Sequence, residues 1–316
     1  MQFINAEKSE EGTYASMNCS KVKSFLQFSR ENDLTHITLL VALVAGTFTW
    51  FLIVCSNLLV IYTIAKTPTL QTPSNCTILG LSIADLTVGL LVQPIHLTSI
   101  FVTHENDFEH ICCISILYGF FGWFIFPISA MHLTLLTMDR FLAIRLHLRY
   151  QELITSKRYV CASIVIWIYG FTIGTIYTFK NELLGYILIA FYFSNAIAIY
   201  SVSITFWNIR KHSSQIQVQH QNVEETLSIQ RLKKSINTMY IIIVALIVSH
   251  LPYIFYFVKR QASLDVLENR NGFLIYIITE HILVLNSFVN PIIYFWRIEE
   301  LRKGAWRVIR VSLGKQ

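Results

Sequence analysis

Charge is what this chain has least of. Only 14% of its 316 residues are Asp, Glu, Lys or Arg, where a soluble domain carries about a quarter. That shortage excludes a surface held in water along most of the chain. The counterpart is a 54% hydrophobic composition and a mean hydropathy of +0.51. Lipid is the solvent these numbers imply. Metal-type cysteine patterns are also missing. Cys19, Cys55, Cys76, Cys112, Cys113 and Cys161 form no Cys-x-x-Cys pair and no His-Cys cluster, which excludes a zinc-like site. No stretch interleaves basic with aromatic residues, so the net charge of +6 reports loops facing the cytosol and not a nucleic-acid partner. There is no internal repeat and no second domain. The opening stretch "MQFINAEKSEEGTYASMNCS" lacks the apolar core of a cleavable signal peptide, so the first hydrophobic helix is expected to direct its own insertion.

What is present is length in apolar runs. A helix needs about 20 apolar residues to cross a bilayer. Seven runs qualify, at about 37–65, 75–102, 112–144, 159–179, 184–209, 236–258 and 272–296. The fold class expected is therefore an all-α membrane protein, a seven-transmembrane helix bundle spanning 37–296. Residues 1–36 form an extracellular tail, and 297–316 an amphipathic helix with a short cytoplasmic tail. The longest connection, about 210–235, is polar and rich in glutamine.

Charge sets the orientation. With the N-terminus outside, inner segments and adjacent helix ends hold 17 of the 25 Lys and Arg, while 12 of the 19 acids lie on outer segments. That bias favours N-out, C-in. Asn18-Cys19-Ser20 is a glycosylation sequon on the outer tail and agrees; Asn75-Cys76-Thr77 is a second sequon at an inner helix start and is expected to stay unmodified. Cys55, Cys76 and Cys161 lie in or beside apolar runs and read as small buried hydrophobes. Cys19, Cys112 and Cys113 face the oxidising side and are disulfide candidates. In "WRIEELRKGAWRVIRVSLGKQ", Ile298, Leu301, Ala305 and Val308 recur at helical spacing among Arg and Lys. This reads as a helix on the inner leaflet with its basic face toward anionic lipid.

Ionisable groups inside spanning runs are costly and turn toward the bundle interior. They are Asp85, Asp139, Arg140, His250, Glu280 and His281, joined by the uncharged Asn57, Ser129, Asn286 and Asn290. Pro94, Pro127, Pro252 and Pro291 interrupt four helices, and polar neighbours or water can take up each freed carbonyl. Asp85 is the deepest acid. Charged and alone it would cost several kcal/mol, so it needs a cation or donors. Ser129, Asn286 and Asn290 surround it if the second, third and seventh runs are neighbours. A protonated, merely structural aspartate is the other reading.

"SNLLV" with Asn57, "LSIADL" with Asp85, "MDRF" with Asp139 and Arg140, Trp167, "SHLP" with Pro252, and "NPIIY" with Tyr294 occur one per run and in order. Together they resemble the rhodopsin-like (class A) family of G-protein-coupled receptors over about 37–310. The resemblance implies a multi-pass plasma-membrane receptor, not an enzyme. It would bind an extracellular ligand in the outer half of the bundle and activate heterotrimeric G proteins. It further implies that Arg140, restrained by Asp139 at rest, meets the G protein, that Tyr200 and Tyr294 swing inward on activation, and that Pro252 is the kink about which the sixth helix opens. Asn290 and Pro291 belong to the same moving segment. Asp85, Ser129, Asn286 and Asn290 match a pocket that holds an allosteric sodium ion; no other cofactor or metal is implied.

The chain departs from that pattern at five places. No cysteine follows Cys161, so the usual disulfide to the second outer loop cannot form and Cys112 or Cys113 is left to bond Cys19. The fifth run has no proline, with Tyr192 eight residues before Tyr200. His250 replaces a tryptophan, Phe141 a tyrosine, and Leu232 an acid that would restrain Arg140. The first two are similar to the branch of melanocortin, cannabinoid, lysophospholipid and adenosine receptors. The missing acid predicts ligand-free signalling.

For the ligand, His96 lies eleven residues after Asp85 on one face, and Glu280 shares the inward face of Ser287. Trp123, Phe126, His250, Tyr253, Phe257 and Tyr276 supply walls. Glu280 is placed to pair with a ligand cation; capping a loop or pairing with a nearby Lys is the alternative. Amine receptors similar to this family carry an Asp where Gly122 stands, which demotes that class and leaves peptide, nucleoside-like or lipid ligands open. Other readings are a chemosensory receptor of the same fold, or a transporter, for which paired broken helices would be expected and are not visible. A seven-helix enzyme would need clustered metal ligands, which His250 and His281 do not supply. No lysine in the outer half of the seventh run offers a Schiff base for retinal.

Overall fold

A computed structural model describes residues 33–105, 110–146, 149–179, 223–262 and 270–312, with Ala196, Tyr200, Ser203, Ile204, Trp207 and Gly314 besides. All regular structure among them is helical. We number the helices in order: α1 Asp33–Lys66; α2 Pro73–Thr87, running through a π turn at Val88–Val92 into α3 Gln93–His104; α4 Ile111–Leu146; the short α5 Tyr150–Leu153; α6 Ser156–Phe179; α7 Val223–Ala262; α8 Arg270–Arg297; and α9 Glu299–Ser312.

Six spans among the described residues are long and apolar enough to cross a membrane, 36–66, 73–104, 111–143, 156–179, 240–259 and 274–297. They coincide with six of the seven predicted runs. The run at 184–209 falls mostly outside the described residues; Ala196, Tyr200, Ser203, Ile204 and Trp207 within it are helical and exposed. Asn18 and Cys19 lie outside the described residues.

Two boundaries differ from expectation. The helix of the sixth run begins at Val223, inside the connection read as loop. "VEETLSIQRLKKS" holds no Gly or Pro and places acids first and bases last, which suits the helix dipole. In the second run the wide π turn lies just ahead of Pro94. It absorbs the hydrogen bond that the proline cannot make, and both Asp85 and His96 stay buried across it.

The core lies in levels along the bundle. Leu39, Ala42, Ile100 and Ile277 pack one end. Ile53, Ala84, Val88, Ile125, Ile128 and Val284 fill the middle, and Val60, Leu81, Leu133, Leu246, Tyr294 and Leu301 the other end. Large side chains such as Phe48, Phe51, Val165, Phe171, Val248 and Phe255 point away from it. That is the expected pattern for helices solvated by lipid, where close backbone approach replaces a hydrophobic drive between helices. Gly170 is the tightest such approach. A β-carbon built there sits 2.4 Å from Ile128 Cγ1 and 2.6 Å from the Phe124 carbonyl oxygen.

The apolar stripe of α9 is taken up by the bundle itself. Leu301 and Ala305 are buried, Leu301 in the same core level as Val60 and Tyr294, while Trp306 faces outward. Lys303 pairs with Glu299 one turn away at 2.8 Å.

Candidate functional site

Polar side chains gather at three levels of the bundle. The middle level is built on Asp85, which is fully buried. Its carboxylate accepts from Ser129 Oγ of α4 at 2.6 Å, from Ser287 Oγ of α8 at 2.9 Å and from Asn290 Nδ2 of α8 at 2.8 Å. Three donors from two helices offset the cost of carrying this acid out of water. Ser129 and Asn290 are where the sequence placed them. The third donor is Ser287, not Asn286. Asn286 is buried beside them, and its Oδ1 has no hydrogen-bond partner. Asn290 Oδ1 and Ser82 Oγ are likewise buried without a partner. Tyr294 is 1% exposed and its hydroxyl is also unpartnered.

Pro291 has no N–H, so the carbonyl of Ser287, four residues earlier, lacks its helical donor. Asn57 Nδ2 of α1 fills that role at 3.0 Å and also donates to Ile53 O at 2.9 Å. The asparagine of the first run and the proline of the seventh are one device: the side chain mends the break.

At the inner level Asp139 is buried, and three hydroxyls close on it. Ser74 of α2 donates to Oδ2 at 2.7 Å, and Tyr150 of α5 donates to Oδ1 at 2.5 Å. Tyr159 of α6 also donates to Oδ1. Arg140 Nε stands 3.4 Å from Oδ2, so the hydroxyls hold the carboxylate more closely than the arginine does. Burial, and after it the Asp139 carboxylate, push the Tyr150 phenol up to about 12. Arg297 Nε at the end of α8 donates to Thr238 Oγ1 of α7 at 3.0 Å, joining these two helices. Tyr200 is two-thirds exposed. Pro252 lies inside α7, and the side chain of Leu232 is outside what is described.

At the outer level Tyr118 of α4 donates to Glu280 of α8, which is 2% exposed. The His96 ring lies 4.8 Å from the Tyr118 ring and 5.4 Å from that of His281. The two ring nitrogens of His281 approach Ile277 O at 2.8 Å and Ala42 O of α1 at 3.0 Å. Gln93 Nε2 donates to Gly46 O of α1 at 3.1 Å. Beside this group stand the aromatic walls. Trp123 stacks on Tyr177 at 5.4 Å, meets Phe257 edge-on at 5.3 Å and lies 6.4 Å from Tyr253. Tyr256 and Tyr276 are 5.5 Å apart.

His96 and Glu280 are thus brought together, as are Trp123, Tyr253 and Phe257. Phe126 packs deeper against the middle core. The His250 Nδ1 lies 3.0 Å from Leu246 O and 3.0 Å from Ser249 Oγ, contacts within its own helix. Sequence reading missed Tyr118, Tyr177, Tyr150, Tyr159 and Ser287 as functional residues. Ser287 alone carried a signal, its place on the inward face it shares with Glu280.

Cys112 is disulfide-bonded, whereas Cys113, Cys55, Cys76 and Cys161 are free. The Asn75 side chain donates to Leu70 O at 2.8 Å. Among the described residues no group of three or more His, Cys, Asp and Glu side chains is arranged to hold a metal.

The 7 transmembrane receptor (rhodopsin family) description matches residues 56–184. Relatives include adenosine receptor A2b of Gallus gallus, 35% identical over 38% of this chain and 34% of that receptor. Adenosine receptor A3 of Ovis aries is 30% identical over 38% of this chain and 37% of its own length, and adenosine receptor A2b of Bos taurus 32% over 45% and 40%. The chain spans about a third to two fifths of the length of these relatives. Over this segment the chain is similar to rhodopsin-family receptors, adenosine receptors among them. The six apolar spans among the described residues are those of a multi-pass membrane protein, and the relatives it resembles are receptors.

Proposed function

We propose that this receptor binds an extracellular ligand in the outer half of its bundle and activates heterotrimeric G proteins through Arg140, with activity in the absence of ligand. The observation that carries the reading is the stacking of three polar junctions along the same helices. Tyr118–Glu280 joins α4 to α8, Asp85 joins α2 to α4 and α8, and Ser74–Asp139 joins α2 to α4. A displacement at one level therefore strains the next. A ligand acts on such a bundle through its differential affinity for the two arrangements. Arg140, held at 3.4 Å behind a hydroxyl cluster, is the group freed at the inner end.

The middle junction also suits a sodium ion. Asp85, Ser129 and Ser287 supply oxygens, and the buried, unpartnered Oδ1 atoms of Asn286 and Asn290 supply two more. An all-oxygen set with one carboxylate matches a hard cation of low charge. These residues would hold it, and its charge would oppose that of Asp85.

The test is basal G-protein activation measured per receptor at the cell surface. Arg140→Ala is expected to abolish it with surface expression retained. A signal from wild type equal to that of mock-transfected cells, or one that survives Arg140→Ala, would overturn the reading.

A further inference from the structure

We propose that Cys112 and Cys113, at the start of α4, form a thiol–disulfide exchange site with Cys19 of the N-terminal tail. The tail is bonded to Cys112, and the free Cys113 thiol takes that bond over. Neither a ligand nor a G protein enters the step.

Cys112 is disulfide-bonded. Its partner follows by exclusion. The chain holds six cysteines, and Cys55, Cys76, Cys113 and Cys161 are free. Cys19 is the one that remains; it lies outside the described residues, so the count alone assigns it. Such a bond persists on an oxidising side of the membrane, which agrees with the outward face that the charge bias gives this end.

The two sulfurs belong to one helical turn. α4 begins at Ile111, and this turn is fixed on the bundle. Ile111 is 2% exposed and clusters with Val102 of α3, with Ile114 packed against them. The Ile114 N–H donates to His110 O at 3.1 Å. Cys112 is half-buried, whereas Cys113 is exposed. An exposed free thiol one residue from a disulfide is, once ionised, the nucleophile that exchange requires.

Geometry selects the sulfur that is attacked. A bond from Cys113 to Cys112 itself would join residues whose α-carbons are about 3.8 Å apart, short of the roughly 4.4–6.8 Å that a disulfide takes. Attack therefore falls on Cys19 Sγ. The Cys113 thiolate forms the Cys19–Cys113 bond, the Cys19–Cys112 bond breaks, and Cys112 leaves as a thiolate that takes up the proton Cys113 gave up. One disulfide and one thiol stand on each side of the step, so no oxidant or reductant is consumed. Adjacent helical residues differ by about 100°, so the anchor moves from the half-buried to the exposed face of α4. The stretch from Cys19 to Asp33 reaches about 45 Å when extended, far more than that step asks. The tether thus has two forms, on the same helix whose Tyr118, about 9 Å further along, donates to Glu280 of α8.

The test is disulfide mapping of the purified full-length chain, with free thiols blocked by iodoacetamide and digestion without reductant. Protein blocked at once is expected to give Cys19–Cys112, an alkylated Cys113, and four free thiols of six. Left unblocked in mildly alkaline buffer, it should develop Cys19–Cys113 with Cys112 alkylated, at a rate independent of protein concentration, as exchange within one chain requires. Cys112→Ser should keep a disulfide, now Cys19–Cys113, and leave only Cys55, Cys76 and Cys161 free. Cys113→Ser should keep Cys19–Cys112 and show no second form. If Cys112→Ser does not fold, the unblocked wild type decides. Cys112 bonded to anything but Cys19, a second copy of the chain included, overturns the pairing. A wild type that stays Cys19–Cys112 throughout, or a folded Cys112→Ser in which Cys19 and Cys113 both stay free, overturns the exchange.

Discussion

Replacing Gly170 of α6 with alanine places one methyl group where there is no room. Its carbon would stand 2.4 and 2.6 Å from Ile128 Cγ1 and Cδ1 and 2.6 Å from the Phe124 carbonyl oxygen. The side chain of Ile128 can rotate away; the carbonyl belongs to the backbone of α4 and cannot without moving the helix. Overpacking of this kind costs about 1–3 kcal/mol, outweighing the gain of about 0.5–1 kcal/mol that alanine brings to a helix interior. The same substitution at Gly174 meets the Phe120 carbonyl oxygen and Phe124 Cβ at 3.0 Å, and its cost should be smaller. At Gly122 the new methyl would meet the Phe126 ring at an ordinary van der Waals distance of 3.6 Å, so only the helix gain remains. Thermal unfolding of the purified receptor should therefore rank Gly170→Ala lowest, Gly174→Ala next, and Gly122→Ala equal to or above wild type. The lowest should fall by roughly 5 °C for a cost of this size. Ile128 precedes Ser129, which donates to Asp85 at 2.6 Å, so the Gly170 variant should also disturb basal signalling. Equal stabilities across the three variants, or a Gly122→Ala as unstable as Gly170→Ala, would refute the packing argument.

Two further predictions concern the inner end. Thr238→Val removes the hydroxyl that accepts from Arg297 at 3.0 Å; a hydrogen bond of about 1 kcal/mol lost from the resting arrangement should raise basal G-protein activation about fivefold per surface receptor, and no rise would show that this contact does not restrain α7. Tyr150 has its phenol pushed up to about 12, above the unfolded value near 10. Its contribution to stability is thus fully present below pH 10 and lost as pH rises through about 12. In alkaline difference spectra of folded wild type and Tyr150→Phe, the missing phenolate signal should belong near pH 12; a missing signal near pH 10 would refute the hydrogen bond to Asp139.

Much of the middle site was legible because Asp85 is an isolated acid in an apolar run. Burial forces such a group to find donors, and few polar residues stand at the right depth. The choice between Asn286 and Ser287 as donor to Asp85 was not settled by the sequence, although Ser287 was placed on the inward face. Adjacent residues differ by about 100° around a helix, and which of them faces Asp85 depends on how the helix runs at Pro291. That in turn depends on Asn57 of another helix taking the Ser287 carbonyl. The tyrosines on Asp139 were hidden for a different reason. Tyr150 sits in a connection whose path no periodicity sets, and Tyr159 lies in the first turns of α6, where a tyrosine reads equally as an interfacial anchor. Tyr118 was one aromatic in a run full of them; only the carboxyl opposite gives it a role.

The hydroxyl cluster on Asp139 bears on why Leu232 is tolerated where a restraining acid is usual in receptors that this chain resembles. Asp139 Oδ1 is taken up by two tyrosines, and Oδ2 is shared by Ser74 and Arg140. The arginine is therefore one of several donors competing for a carboxylate, at the longest distance of those given. A restraint built this way is weak at Arg140 and strong at α5 and α6. It fixes the connection that carries Tyr150 while holding the guanidinium less closely, and the Arg297–Thr238 contact adds a polar tie between α7 and α8 at this end. The basal signalling proposed above would rest on that division: the scaffold of the inner face is held by hydroxyls, and Arg140 is held less closely.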